Sequence, residues 1–427
     1  MKIKILVPMV AGLILAVGYY SANAQKVSGD EQKILDYIDS HGVEALSILE
    51  RSVNIESPTE DIAGVKNVGM VFGKEFESIG MTVRWIDMPP NMKRAGHLVA
   101  ETKGAKGKRL LLLGHLDTVL RGEKFGRDGD QVYGTGIGDM KGGIVVLLQA
   151  LKALQAAGAL KNTQIIVMLT GDEEDSGEPV DISRGDMIAA AKRSDLALSF
   201  EGAIRNTATV GRRGSSSWTL EVEAKTGHSS QIFRESMGNG AIFEASRILN
   251  EFRETLGKEK YLTFNPSIFV GGTTADEQNA SGSATGKTNV VPAKVKVNGD
   301  LRFISEDQKN LARSKMREIV AKSLAGTKAK VTFFDGLPAM TPNDANYALL
   351  KQLDEVSQEL GFGKVEPLDP GDRGAGDIAF VSSIIPSLDG IGIGGGANSH
   401  AKGESAKIHN LSILTKRAAI LLYRLTR

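Results

Sequence analysis

The sequence predicts an α/β fold in which a doubly wound, mostly parallel sheet is interrupted by a smaller α+β domain. Largely apolar runs at residues 109–113, 163–169 and 195–200 follow one another, with helical periodicity between them. Continuous apolar runs are typical of parallel strands that are buried on both faces. After Gly211 the sequence changes to an alternation of apolar and polar residues, which indicates strands with one solvated face.

Helical segments precede and separate the apolar runs. Apolar residues recur at helical spacing over residues 30–52, where Gly42 interrupts the pattern, and over residues 65–79, which end at Gly80. A third helix is predicted over residues 143–157. In a sheet of this kind, ligands bind at the carboxyl ends of the strands.

The inserted domain is predicted over residues 213–337. Its strands are expected at residues 218–223, 267–270, 295–298 and 329–334, and its helices at residues 241–256 and 306–323. The order strand, helix, strand, strand, helix, strand is that of a ferredoxin-like domain. The Gly- and Thr-rich segment 271–288 is predicted to be a loop. The first domain then comprises residues 25–212 and 338–427, with further helices at residues 342–361 and 413–425.

Charge and composition restrict the partners. The 427 residues carry 52 Lys and Arg against 51 Asp and Glu, a formal net charge of +1. This balance gives neither the basic face expected for nucleic acid nor a strong attraction to an anionic membrane. The expected partner is a small, locally recognised substrate. The chain has no cysteine and six histidines, so any metal ion must be held by His and carboxylates.

The first 24 residues have the three-part pattern of a secretory signal peptide. Lys2 and Lys4 precede a mostly apolar stretch, residues 5–20, and Ala22 and Ala24 supply the small residues of a cleavage site. An uncleaved anchor would need about 20 apolar residues. We therefore expect cleavage after Ala24, no stable membrane anchor afterwards, and an exported, periplasmic or secreted, mature protein.

Candidate site residues lie after the apolar runs or in glycine-rich turns. His115 follows the first run, and the carboxylate of Asp117, two residues later, can hold its imidazole. The others are Asp139 in the glycine-rich stretch 134–143, Glu173 and Glu174 after the second run, Glu201 at the end of the third, and His400 in the turn 394–400. Taken alone, each is at least as typical of an ordinary structural position, such as a helix N-cap for Asp139 or an exposed loop for His400, as of a metal ligand. Together they satisfy the nitrogen and oxygen preference of zinc. Two His and three carboxylates suit two metal ions about 3.5–4 Å apart that share one carboxylate.

These motifs, in this order, resemble the glutamate carboxypeptidase, aminoacylase and desuccinylase family of dizinc hydrolases. The resemblance covers essentially all of the mature chain, and the pattern is most similar to glutamate carboxypeptidase. It implies a zinc-peptidase catalytic domain with an inserted domain that serves as lid and dimerisation domain. It implies two Zn²⁺ ions, one bound by His115 and Glu201 and the other by Glu174 and His400, with Asp139 as the bridge. Other divalent metals, such as cobalt and manganese, stay open.

The resemblance also implies roles for neighbouring residues. Asp117 would orient His115, and Glu173 would be the general base that takes a proton from the attacking water. In the inserted domain, His228 would stabilise the oxyanion, reaching the active site of the partner subunit in a homodimer. Asn289 and Arg302 would bind the substrate carboxylate, for which a planar guanidinium is suited. The ordinary alternatives are a loop histidine at 228 and a surface arginine at 302.

The activity expected from the resemblance is the release of a C-terminal amino acid, glutamate being one candidate, from a peptide or an N-acyl amino acid. A dipeptidase or an N-acyl-amino-acid deacylase on the same scaffold is the alternative, and a non-catalytic zinc-dependent binding protein is a more remote one. Residues 282–288 resemble a P-loop, but the first glycine is one residue too close. No Gly-x-Ser-x-Gly motif of a serine hydrolase occurs.

Overall fold

A computed structural model describes residues 27–278 and 281–427 of the chain. The segment predicted to be a signal peptide, residues 1–24, lies outside the described residues. Within the part that is described, no helix combines the length and the apolar character needed to cross a bilayer. The first described helix is α1, Gly29–Ser40.

A six-stranded sheet forms the centre of the larger domain. From edge to edge its strands are Thr82–Ile86 (β1), His97–Glu101 (β2), Thr163–Thr170 (β6), Lys106–His115 (β3), Leu196–Ser199 (β7) and Ser387–Leu388 (β16). Strand β3 pairs in parallel with β6 and β7, and β7 pairs in parallel with β16. Strands β1 and β2 are antiparallel. The predicted mostly parallel sheet is confirmed, with an antiparallel edge.

Helices cover both faces of this sheet because successive side chains of its strands point to opposite sides. Leu110 and Leu112 of β3 belong to the core on one face, and Leu111 and Leu113 to the core on the other. The first core is covered by α1, Gly42–Val53 (α2), Ile62–Ser78 (α3), Gly142–Ala156 (α4), Asp344–Glu359 (α9) and Ile408–Leu425 (α11). The second is covered by Gly185–Lys192 (α6) and Ala379–Ser382 (α10), next to Val180–Ser183 (α5). The interruption predicted at Gly42 separates α1 from α2.

The inserted domain is a four-stranded antiparallel sheet covered by two helices. From edge to edge its strands are Thr263–Gly272 (β10), Lys294–Phe303 (β13), Gly214–Ala224 (β9) and Thr327–Asp335 (β14). The helices Ala241–Leu256 (α7) and Glu306–Val320 (α8) pack on one face, where Trp218, Leu220 and Val222 of β9 are buried. The order along the chain is the predicted ferredoxin-like one.

The loop predicted over residues 271–288 was wrong. Most of this segment is a β-hairpin of Thr274–Gln278 (β11) and Ser281–Thr285 (β12), with Thr274 opposite Thr285. Its small polar residues lack the apolar alternation by which a strand is recognised. Backbone pairing, which is independent of the side chains, holds the hairpin beyond the end of β10.

Short strands complete the larger domain and hold its loops. Gly126–Asp128 (β4), Gln131–Tyr133 (β5) and Ser405–Lys407 (β17) form a three-stranded sheet, and Thr207–Ala208 (β8) pairs with Glu366–Pro367 (β15).

The chain leaves the larger domain for the inserted domain and returns from it at one point. There Arg212 and Met340 pair, each amide donating to the other residue's carbonyl at 2.9 and 3.0 Å.

Candidate metal centre

Three neighbouring parallel strands deliver side chains to one edge of the six-stranded sheet. Strand β3 ends at His115, Glu173 and Glu174 follow the end of β6, and Glu201 follows the end of β7. His115 and Glu201 are 1% and 7% exposed, so their polar groups are almost fully removed from bulk water. The carboxyl edge therefore collects the residues that sequence reasoning placed there.

Asp139 lies between the two candidate histidines. It belongs to a wide helical turn, Ile137–Lys141, that leads into α4. One carboxylate oxygen, Oδ1, is 3.0 Å from Nε2 of His115, and the other, Oδ2, is 3.0 Å from Nε2 of His400. Each oxygen thus faces a different imidazole, as a carboxylate that is shared between two sites requires.

Two donor groups share Asp139. One consists of His115, Asp139 and Glu201, and the other of Asp139, Glu174 and His400; within each, one donor atom per residue lies within 4.8 Å of the others. Nε2 of His400 is 3.2 Å from Oε2 of Glu174, and Nε2 of His115 is 3.8 Å from Oε1 of Glu201. Oε1 of Glu174 is buried and has no hydrogen-bond partner among the described residues.

This donor set fits two divalent metal ions. It offers imidazole nitrogen and carboxylate oxygen, no thiolate, and a carboxylate oxygen that the protein itself leaves unpaired. His115 also groups with Glu173 and Glu174. The distances alone therefore allow Glu173 to be a metal ligand. We separate it from the ligands because hydrolysis needs a general base beside them.

Asp117 organises the same edge of the sheet from a fully buried position. Its oxygens accept hydrogen bonds from the backbone N–H groups of Glu173 and Glu174, both at 3.1 Å, and from the Thr59 hydroxyl at 2.7 Å. Its Oδ1 is 3.4 Å from Nδ1 of His115. Nδ1 lies closer, 3.1 Å, to the backbone carbonyl oxygen of Asp117. The residue is therefore in contact with the imidazole, and it also fixes the turn that carries the two glutamates.

Residues 111–424 match the family model described as peptidase family M20/M25/M40. The chain belongs to this family. The M20 chain is 30% identical over 329 residues to carboxypeptidase G2 of Pseudomonas sp. (strain RS-16), which covers 74% of each protein. It is 25% identical over 372 residues to succinyl-diaminopimelate desuccinylase of Acidovorax ebreus (strain TPSY), which covers 81% of the chain and 89% of that protein.

Solved structures share the fold of the M20 chain. Aminopeptidase PepT from Bacillus cereus ATCC 10987 superposes with a TM-score of 0.71 at 16% identity, over 90% of this chain and 99% of that one. The M20 metallo-carboxypeptidase Sso-CP2 from Sulfolobus solfataricus gives 0.61 at 18% identity, over 90% and 99%. The family resemblance read from the sequence is confirmed, and the protein is an enzyme of the metallopeptidase and amidohydrolase class.

Glu404 connects two of the metal-site loops of the M20 chain, and sequence reasoning missed it. Its buried carboxylate accepts hydrogen bonds from the backbone N–H groups of Gly136, Gly138 and Asp139 at 2.7, 2.8 and 2.9 Å. Because Glu404 lies four residues after His400, it ties the turn of Asp139 to the loop of His400. In the sequence, Glu404 was marked only by its position four residues after His400, and this spacing does not indicate a role.

A buried ion-pair network behind the glutamates was also missed. The guanidinium of Arg184, which is fully buried, contacts Oδ1 of Asp172 at 2.6 Å and Oδ1 of Asp377 at 2.7 Å. Asp377 also accepts a hydrogen bond from the Thr170 hydroxyl at 2.6 Å. The network fixes both ends of the turn that begins at the end of β6. Nothing local in the sequence marks contacts between residues this far apart.

Burial and hydrogen bonds shift the pKa values of groups at the site. Burial raises the pKa of Glu173 well above its usual range, and the charges of Glu201 and Asp377 add to this shift. Burial, together with Asp139, raises the pKa of Glu201 to about 7. Hydrogen bonds to Asp139 and Glu174 raise the pKa of His400 to about 10. Bound cations favour carboxylates and neutral imidazoles, so metal binding here would release protons.

Three predicted residues of the inserted domain lie apart from this cluster. His228 is exposed and its Nδ1 is 2.8 Å from the Ser230 hydroxyl, while the Asn289 carbonyl accepts from the Ser229 amide. Arg302 is partly exposed, and its Nε donates to Asp300 at 3.0 Å. Within the described ranges, no hydrogen bond or ion pair joins His228, Asn289 or Arg302 to the cluster. Their roles at the metal site stay predictions.

Proposed function

We propose that this M20 enzyme uses two Zn²⁺ ions to hydrolyse an amide bond and release a C-terminal amino acid, glutamate being one candidate, from a peptide or an N-acyl amino acid. The observation that carries the proposal is the pair of donor groups that share Asp139, with Glu173 beside them. Carboxypeptidase G2 and succinyl-diaminopimelate desuccinylase, two similar proteins, are named for reactions on such bonds.

Two divalent ions held by this cluster would lower the pKa of a water molecule and polarise the substrate carbonyl. Glu173 takes a proton from the attacking water and passes it to the leaving nitrogen. Burial raises the pKa of Glu173, whereas bound divalent ions would favour its carboxylate form, the form that can accept this proton. Asp117 holds the His115 ring in place through its contact with Nδ1, and it holds the turn of Glu173 and Glu174 through their backbone N–H groups.

Arg302 and Asn289 bind the free carboxylate of the substrate, and His228 of the partner subunit stabilises the oxyanion. This part of the proposal requires a homodimer formed through the inserted domain. Two facts support it. Among the described residues, no hydrogen bond or ion pair joins His228 to the cluster of its own chain, and Phe233 and Phe243, 64% and 52% exposed, lie with their ring centroids 5.5 Å apart. Large exposed apolar side chains that lie close together are typical of interfaces. A monomeric mass in light scattering would contradict this arrangement.

A dipeptidase or an N-acyl-amino-acid deacylase would use the same residues, since both substrates offer a free carboxylate to Arg302. A screen of N-acyl amino acids and dipeptides that varies the C-terminal residue separates these activities. A non-catalytic zinc-dependent binding protein has no use for a general base beside a complete ligand set, so Glu173 argues against it.

The enzyme acts outside the cytoplasm after removal of residues 1–24. The basic start, the apolar stretch and the Ala-x-Ala site of the sequence support this export. The measurement is the N-terminal sequence of the protein recovered from the periplasm and the medium, which is expected to begin at Gln25. A start at Met1 in those fractions would contradict cleavage.

Metal analysis and one substitution test the central proposal. The purified mature protein is expected to hold close to two zinc ions per chain, and a content near zero would refute the proposal. Glu173→Ala is expected to keep the metal and lose hydrolysis by about 10³-fold or more, because the proton transfer has no other acceptor. Asp181→Ala, at an exposed acid of α5, is the matched control and should retain activity.

A further inference from the structure

Arg373 lies in the glycine-rich segment between Pro370 and Asp377 and lines a cleft beside the metal cluster. The cleft has a volume of about 440 Å³, and Asp139, Glu201 and His400 also line it. The Arg373 side chain is 11% exposed. A guanidinium that is removed from water in this way has lost much of its hydration and needs hydrogen-bond partners in exchange.

The fold uses only part of the donor capacity of Arg373. Its Nη1 donates to the carbonyl of Gly202 at 2.8 Å. Its Nη2 is 3.9 Å from Oε2 of Glu201 and 3.9 Å from Oδ2 of Asp389, beyond hydrogen-bonding distance. Its Nε is buried and has no partner in the described part of the chain. The Nε and Nη2 edge, which arginine uses for bidentate contact with a carboxylate, is therefore not engaged.

Each of the three side-chain nitrogens of the neighbouring Arg212 has a partner within the fold. They donate to the carbonyls of Gly374, at 2.6 Å, and Ala375, and to the carboxylate of Asp389 at 2.9 Å. Asp389 therefore already has a cationic partner. Glu201 belongs to a donor group for metal, so a bound cation would take up its charge. Among the described residues that line the cleft, Arg373 is then the arginine that the fold pairs least closely, since both carboxylates lie 3.9 Å from its Nη2.

A second space beside the cluster is much smaller. It has a volume of about 10 Å³ next to Glu174 and His400, and Thr118, Val119 and Leu120 also line it. None of the described residues that line it is an arginine or a lysine. The cleft with Arg373 offers both the volume and a loosely paired positive charge.

We propose that Arg373 binds a second carboxylate of the substrate, in addition to the C-terminal one, and so makes the enzyme select dicarboxylic substrates. This inference rests on the proposed amide hydrolysis and names its substrate class. The competing role is mechanical, since the hydrogen bond to Gly202 also ties the glycine-rich segment to the end of β7. A mechanical role would affect every substrate equally, whereas carboxylate binding affects only those that carry the extra charge.

The test compares the wild-type enzyme with Arg373→Gln on substrates that differ by one charge. N-acetyl-L-glutamate is paired with N-acetyl-L-glutamine, and N-succinyl-L-alanine with N-butyryl-L-alanine. We expect at least one acidic substrate to be preferred by the wild type, and its kcat/KM to fall about 10- to 100-fold in the variant, mainly through KM, as for loss of a hydrogen bond between charged groups. The neutral partner should change less than about threefold.

Two further variants define the result. Arg373→Lys keeps the charge but not the fork of donors, so it should restore part of the preference for the acidic substrate. Arg193→Gln removes an arginine that pairs with Glu101 on the surface, and it should leave both members of each pair unchanged. Equal losses on acidic and neutral substrates in Arg373→Gln would show a mechanical role and overturn the inference. So would a wild type without any preference.

A binding measurement separates failure of this inference from failure of the proposed function. Glutarate and pentanoate, which differ by one carboxylate, are titrated calorimetrically into the zinc-loaded protein. We expect the wild type to bind glutarate more tightly than pentanoate, and Arg373→Gln to lose the difference. If no amide is hydrolysed, the proposed function is wrong, and equal glutarate affinities of the two proteins would then also refute the role of Arg373.

Discussion

Replacing Glu404 with glutamine should weaken metal binding without touching any metal ligand. The carboxylate accepts three backbone N–H groups, one on Oε2 and two on Oε1. Glutamine has one acceptor oxygen, so at least one of these buried N–H groups loses its acceptor, which costs about 1–3 kcal/mol. The remaining bonds also lose their charge assistance, which roughly halves their strength.

The expected total is about 2–3 kcal/mol of unfolding free energy, because burial raises the pKa of Glu404 and so offsets part of what the three bonds contribute. Urea unfolding of the metal-free protein measures this loss. Competition with a zinc-chelating dye should show a metal affinity about 10- to 100-fold lower, as for other residues that hold ligands in place. Glu366→Gln, at an exposed pair with Lys364, is the control. A Glu404→Gln protein with wild-type stability and affinity would refute the reasoning.

Three further changes have defined outcomes. Arg184→Met leaves Asp172 and Asp377 as uncompensated buried charges and should cost about 3–5 kcal/mol in urea unfolding, whereas Arg193→Met on the surface should cost less than about 1 kcal/mol. Gly80→Ala, at φ +84° with open space around the new Cβ, should cost about 1–2 kcal/mol. Gly238→Ala, at φ +81°, should be far more destabilising because its new Cβ would lie 2.0 Å from the Ala325 carbonyl oxygen. Equal urea unfolding midpoints for the two variants would contradict this. Zinc at 100 times the Kd of each site should stabilise the metal-free protein by about 2.7 kcal/mol per site, seen as a rise in melting temperature that a chelator reverses.

Sequence reasoning succeeded where a local pattern has one physical meaning. The apolar runs of β3, β6 and β7 lie in the middle of the sheet, and the acids and histidine that follow them meet at its carboxyl edge. Helices α7 and α8 begin at the predicted residues because an apolar face at helical spacing identifies a helix packed on a sheet. Asp139 and His400 lie in glycine-rich turns, where a helix N-cap or an exposed loop side chain is as typical as a metal ligand, and the family resemblance decided between them.

The remaining features depend on contacts that no local pattern encodes. Arg184 and Asp377 are far apart along the chain and meet only because α5, α6 and α10 cover one face of the sheet. The residues around Arg373 likewise come from two separate segments, one with Glu201 and Gly202 and the other with Asp389. The hairpin β11–β12 was predicted as a loop because its residues are small and polar, while its pairing is made by the backbone.

The paired crossing at Arg212 and Met340 makes the inserted domain a transferable unit. Because the chain leaves and re-enters the larger domain at adjacent residues, a short linker could replace everything between them without stretching the backbone. All strands of the six-stranded sheet and all five residues that share the two donor groups lie outside that segment. Recombination could therefore exchange the domain that we propose to contact the substrate while the metal-site residues stay in place, and this is a direct route from one hydrolase to enzymes with different substrates.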